Sequence, residues 1–247
     1  MINIKKIKVE TKKYLDKFDI TNKDIFLKYE HTFEIVRIMD MMTSKMKFNE
    51  EDKSLALTIA YLHDIGRFEQ IVKTNSMLDC ISDHADNGVD LLFNRDLIKE
   101  FSIPKKYYRI IEVSIRNHNK LFIEDGLNER ELFFCKLIRD IDKIDVFRVR
   151  NKFCNDTFLD KPTDICIEDF YNHKSIKLTD RKTKSDFVIC TLAFVYDFYF
   201  KESIELLKEL GTLNLYIDGI EVDESLKDIF NKLVEEVNKY LEEYDEK

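Results

Sequence analysis

Residues that interrupt regular structure are scarce in this chain. Two prolines and five glycines among 247 residues leave few places for tight turns or hairpins, so long helices are the default expectation. No basic run interleaved with aromatics occurs and the formal net charge is -8, which argues against a nucleic-acid polymer as partner while leaving room for a local cationic site on a small phosphate. The start MINIKKIKVETKK holds no apolar stretch of signal-peptide length and nothing elsewhere reaches a membrane-spanning run, so no membrane partner is expected and the protein reads as cytoplasmic. The cysteines (Cys80, Cys135, Cys154, Cys166 and Cys190) are odd in number, dispersed and without a C-x-x-C pair. That pattern excludes a disulfide framework and a structural zinc site, and leaves reduced thiols that mostly fill the core.

What is present is material for a large core, with 44% hydrophobic and 36% charged residues. The reading is all-α, as one helical domain over 1–247: a catalytic core at about 23–150, an irregular excursion or lid over 151–186, and C-terminal helices over 187–247. Residues 1–20 are mixed and lysine-rich. Asn22 or Asp24 can cap a first long helix at about 23–47, in which Ile35, Ile38 and Met42 form a stripe. A second helix at about 50–65 is predicted to stop at Gly66, followed by a loop from Arg67 to about Ser82. Further helices are expected from Ser82 or Asp83 through Leu92, at 105–118 after Pro104, and at 129–150. Around Pro162 the apolar periodicity fades. From Phe187 it resumes as a buried helix ending at Gly211; LNLYIDGIEV is then a small hairpin or a turn between helices, and a last amphipathic helix at about 223–244 packs through Ile229, Leu233, Val237 and Tyr240.

Four of the five histidines, His31, His63, His84 and His118, fall in successive predicted helices or at their ends. His31 shares its stripe with Ile35, Ile38 and Met42, His63 with Ala56, Ile59 and Ala60, and His118 with Ile111 and Ile115, so each points inward. Several imidazoles aimed at one interior are unfavourable unless a cation or carboxylates compensate, and a metal is the simplest answer. Asp64 follows His63 directly at a helix end, where the helix dipole disfavours an acid with no other role. In the helix at 129–150, Asp142 continues the edge made by Cys135 and Ile138, whereas Asp140 lies beside Lys136 and Lys143 in projection and is expected to be solvated. Asp83 and Asp86, next to His84, read as helix-start residues in preference to groups that orient the histidine.

His31 in KYEHTFEIVRI, His63-Asp64 in LHDIGRF and Asp142 in RDIDKID follow the order H…HD…D, and the chain resembles the HD superfamily over about 23–150. His84 in SDHADNGVDLL and His118 in IRNHN resemble the phosphodiesterase-like branch, in which extra histidines hold a second metal. The resemblance implies a helical bundle in which His31, His63, Asp64 and Asp142 hold one ion, His84 and His118 a second, and Asp64 bridges both. The cofactor implied is a divalent transition-type metal, two ions, drawn from Fe, Mn, Co, Mg or Zn. Asn117 precedes His118 where branches that degrade cyclic dinucleotides carry a second histidine, and no Gly-Tyr-Pro follows, which argues against cyclic di-GMP hydrolysis.

A pair of divalent ions activates water and clamps phosphoryl oxygens, so the expected chemistry is hydrolysis of a phosphate mono- or diester, with a small phosphorylated compound such as a nucleotide as substrate. Asp64, Arg67 and Lys143 are the expected catalytic groups, the two cations on substrate phosphate, with Lys28, one helical turn before His31, a third cation. Two other classes stay open: an HD-type di-iron oxygenase and a non-catalytic nucleotide-sensing module. Loops 66–82 and 151–186 are the expected seat of leaving-group recognition.

Overall fold

The computed structural model describes residues 1–245; residues 246 and 247, the end of the stretch expected to be C-terminal helices, lie outside the described residues. Helices dominate, and the strands among the described residues are two residues long each. None of the described helices is long and apolar enough to cross a membrane. The backbone packs as two compact units, Met1–Asp142 and the chain from Lys143 onward, with the boundary inside one long helix.

The first unit opens with α1 (Ile4–Leu15), in the segment read from sequence only as mixed. Its buried face is Ile7, Thr11, Tyr14 and Leu15, a helical spacing that the interleaved lysines obscure. Asn3 caps it by accepting from the Lys6 amide. Helix α2 (Lys23–Lys45) starts at Asn22, whose side chain accepts from the amides of Asp24 and Ile25. Helix α3 (Glu50–Leu62) is capped by Asn49, and Glu50, Glu51 and Asp52 place negative charge against its positive end.

After α3 the chain does not enter the predicted loop. It turns at His63 and Asp64 and forms α4 (Ile65–Thr74), so Gly66 begins a helix rather than ending one. The reason for glycine there is space. A Cβ on Gly66 would stand 2.3 Å from the Gly88 amide nitrogen and 2.4 Å from the His84 carbonyl oxygen, so α4 and α5 (His84–Val89) can touch backbone to backbone only because it is absent. The true end of α4 is Asn75, in the left-handed conformation at φ 50°.

Asp83 caps α5, accepting from the amides of Ala85 and Asp86, and the helix runs on through a π turn at Asp90–Asn94. Pro104 and a 3-10 turn precede α6 (Tyr108–Asn117). Helix α7 (Glu129–Phe153) then crosses from the first unit into the second. It is buried round its circumference at Leu137, Ile138, Arg139, Asp140 and Ile141. Asp140, expected to be solvated, is therefore fully buried: the projection that set it beside lysines assumed a wet face, and this stretch has none.

In the second unit, β1 (Thr157–Phe158) pairs in parallel with β2 (Glu221–Val222), Thr157 opposite Glu221 and Phe158 opposite Val222. Between them the segment expected to be irregular carries α8 (Asp164–Tyr171) and leads into α9 (Lys184–Leu192). The expected helix up to Gly211 is broken. A 3-10 turn at Ala193–Asp197 and extended backbone at Phe198 and Phe200 separate α9 from α10 (Lys201–Leu210). At that break both the carboxylate and the carbonyl of Asp197 meet Lys143 Nζ at 2.7 Å, an arrangement a continuous helix, with its carbonyls turned along the axis, does not offer. Gly211 ends α10 at φ 63°, as read from sequence. LNLYIDGIEV is not a hairpin: it forms α11 (Thr212–Asp218), a turn at Gly219 and β2. Helix α12 (Lys227–Asp245) buries Phe230, Leu233, Val237 and Leu241, a stripe displaced by one residue at both ends from the predicted one.

Asp186 ties the second unit together at the start of α9. Its carboxylate accepts from the amides of Thr163, Lys182 and Thr183 at 2.8–2.9 Å, and these bonds outweigh its burial and hold the carboxyl below its ordinary value. Asp186→Ala is expected to cost about 3 kcal/mol by leaving those amides unpaired. Because the folded-state value is depressed, this stabilisation is complete above the ordinary carboxyl value of 3.8 and is lost as pH falls below it, which urea unfolding of wild type and variant at stepped pH measures. Gly66→Ala is expected to cost at least about 2 kcal/mol and to separate α4 from α5, read as a lower thermal midpoint.

Candidate metal centre

The site of the first unit is assembled from helix ends. His63 follows the last residue of α3 and His118 the last residue of α6, positions where backbone carbonyls lack their helical partners. Each ring uses one of them: His63 Nδ1 donates to the Ala60 carbonyl at 2.9 Å and His118 Nδ1 to the Ile115 carbonyl at 2.6 Å. The same local geometry, a ring donating three residues back, thus fixes both imidazoles with Nε2 facing inward as a lone pair. His84, the first residue of α5, gives its Nδ1 to the Asp79 carboxylate at 2.6 Å and also turns Nε2 inward. His31 comes from α2 and Asp142 from α7, with His31 Nε2 3.1 Å from Asp142 Oδ1.

Asp64 stands at the entry to α4, a position where an aspartate ordinarily caps its own helix, yet its side chain makes no capping bond. The carboxylate is instead turned inward, 2% exposed. Oδ2 lies 3.6 Å from His31 Nε2 and 3.7 Å from His63 Nε2, while Oδ1 lies 3.0 Å from His84 Nε2 and 3.5 Å from His118 Nε2. Lys28 Nζ closes the cluster on Oδ2 at 2.7 Å.

Ligand-type atoms gather in two groups, His31, His63 and Asp142, and Asp64, His84 and His118, the atoms of each within 4.8 Å of one another. Two tests show that a divalent ion fits. First, Asp64 Oδ1 is fully buried and makes no hydrogen bond, an acceptor left for something other than a protein donor. Second, Nε2 atoms face one another in pairs, His31 and His63 at 3.3 Å and His84 and His118 at 2.8 Å. Nitrogens bound to one ion at about 2.0–2.1 Å come to roughly that separation. The protonation states agree: burial pushes His63 down to about 3, so it is neutral at physiological pH. Burial opposes ionisation of Asp64 and Asp142, but the Lys28 ammonium on Oδ2 holds the first well below the carboxylate range and the His31 ring on Oδ1 does the same for the second. Neutral imidazoles beside anionic carboxylates are the forms that bind metal.

All six residues expected to be ligands are thus brought together. Arg67 is buried beside them, with Nη2 3.1 Å from His84 Nε2, Nε 4.0 Å from Asp64 Oδ1, and Nη1 on Gln70, the Met77 carbonyl and Asp79. Lys28 reaches the cluster through Asp64, whereas the Lys143 ammonium is held by Asp197 in the second unit. Asp83 is a helix cap that also receives Lys120 and Asn119. Asp79 went unread from the sequence. It lies in the loop before α5, where no periodicity marks a side chain's direction, and its spacing of five residues from His84 was the one available signal.

Residues 29–147 match the family model of the HD domain. The chain therefore carries an HD domain, a superfamily made up mostly of metal-dependent hydrolases, and the matched span runs from just before His31 to just past Asp142. Neither curated proteins nor solved structures gave a match.

Elemental analysis and calorimetric titration of the purified chain are expected to give two divalent ions. His84→Ala should lose one of them and keep the other, and Asp64→Ala should weaken both by at least about tenfold, since its two oxygens serve different groups.

Proposed function

We propose that this protein hydrolyses a phosphate ester, a mono- or diester of a small phosphorylated compound such as a nucleotide. The observation that carries the reading is the Asp64 carboxylate, buried with one oxygen toward His31 and His63 and the other toward His84 and His118. In this reading His31, His63 and Asp142 would hold one divalent ion, His84 and His118 a second, and Asp64 both. Bound there, such ions lower the pKa of water and neutralise charge on phosphoryl oxygens.

The chain's own residues set the stage for that chemistry. The Ala60 and Ile115 carbonyls and the Asp79 carboxylate each engage the Nδ1 of one imidazole and so turn three Nε2 atoms inward, that of His84 shared with Arg67. Lys28 balances the anionic Asp64, and Arg67 brings a guanidinium to the edge of the cluster where it can orient a phosphate oxygen. Lys143 is given no role on substrate, because Asp197 already engages its ammonium. The free thiols of Cys80, Cys135, Cys154, Cys166 and Cys190 suit a reducing compartment, and we place the reaction in the cytoplasm.

A screen of phosphate release and nucleotide cleavage over mono-, di- and cyclic nucleotides, with manganese, cobalt, magnesium, zinc or iron, tests the reading. Turnover is expected with at least one ester, falling at least about 10³-fold in Asp64→Asn while helicity by circular dichroism is kept. Normal turnover in metal-replete Asp64→Asn refutes it. So does oxygen consumption by a two-iron form that releases no phosphate.

A further inference from the structure

Asp79 meets the metal cluster from the outside. Its Oδ1 accepts from His84 Nδ1 at 2.6 Å and from Arg67 Nη1 at 2.9 Å, while Oδ2 accepts from Asn119 Nδ2 at 3.3 Å. The opposite face of the same imidazole presents Nε2 3.0 Å from Asp64 Oδ1 and 2.8 Å from His118 Nε2. His84 differs here from its neighbours, since His63 and His118 rest on the uncharged carbonyls of Ala60 and Ile115 while His84 rests on a carboxylate. A carboxylate on the far nitrogen fixes the proton there and makes the near nitrogen a better donor to a cation.

We propose that Asp79 is a positioning residue of this centre: through one oxygen it holds His84 in the form that takes the second ion and holds Arg67 where it meets substrate phosphate. The proposal rests on the reading of the cluster as a two-ion hydrolase. Its consequence is that the two halves of the centre differ in kind. His31, His63 and Asp142 stand on helices or helix ends, whereas the half built on His84 depends on a side chain from the loop between α4 and α5. Arg67 keeps two other acceptors, Gln70 Oε1 at 2.8 Å and the Met77 carbonyl at 2.7 Å, so loss of the carboxylate falls mainly on His84. Asp79→Asn removes the charge while keeping the shape of the side chain and an oxygen for His84 Nδ1, so the variant should keep its packing.

The test titrates the full chain, as wild type, Asp79→Asn and Asp79→Ala, with cobalt(II), followed by calorimetry and by the visible absorption of the bound ion. Wild type should take two equivalents. Both variants should keep the first with unchanged affinity and spectrum and bind the second about 10–100-fold more weakly. Raising the cobalt concentration should then restore turnover, which a general structural defect would not permit. The proposal falls if both equivalents weaken together, if the second is unchanged in both variants, or if wild type takes fewer than two. Selective loss of the second equivalent with no ester cleaved by wild type would uphold Asp79 and sink the hydrolase reading. Turnover in wild type with the second equivalent intact in both variants would do the reverse.

Discussion

A carboxylate buried among four imidazoles is the constraint on which the first unit turns. Asp64 is removed from water, so its charge must be met by neighbours, and what surrounds it is one lysine, one arginine and four Nε2 atoms, at least two of which are fixed as acceptors by what their opposite nitrogens donate to. Lone pairs that face one another and face a carboxylate repel unless a cation stands among them. That frustration is local and costly, and it is tolerated because the chain's other local choices around it are consistent. The long helices are capped by Asn22 and Asn49, the acids at the start of α3 complement its dipole, and α1, α2 and α3 each bury an apolar stripe.

The helix ends do double work in this arrangement. A helix terminates with carbonyls that lack their helical partners, and a histidine ring three residues on donates to that of Ala60 and, beside the His118 amide, to that of Ile115. The ring satisfies the helix and the helix orients the ring, so one hydrogen bond serves both stability and chemistry. Gly66 adds the third condition. With no side chain there, the backbones of α4 and α5 touch, and this contact brings Asp64, at the head of one helix, within 3.0 Å of His84, at the head of the other.

How far the sequence could be read follows from the nature of each signal. Helices α2, α3, α6 and α7 were legible because their stripes, caps and breakers are local, and α1 was missed because lysines interleave with its buried face. Gly66 was misread as a stop because a glycine required by a neighbouring helix looks the same in sequence as one required by its own φ. Asp140 was misplaced for a related reason. A helical projection sorts residues into faces, but it cannot say whether the polar face is later covered. The break at Asp197 was invisible because it answers to Lys143, more than fifty positions away.

His31, His63, Asp64, His84, His118 and Asp142 were named as a ligand set by their resemblance to the HD superfamily, and imidazoles on inward stripes with an acid at a helix C-terminus, unfavourable by local rules, pointed to the same place. Sequence alone thus determined the helical class and named the imidazoles and carboxylates that the fold gathers. The tertiary structure decided what local rules do not encode: that one carboxylate divides its two oxygens between two histidine pairs, that Asp79 stands behind His84, and that Arg67 reaches the cluster while Lys143 is held by Asp197. Propensity, capping and periodicity act over a few residues, whereas the direction of a side chain from a loop or a helix end is fixed by whichever distant groups the packed chain brings to meet it.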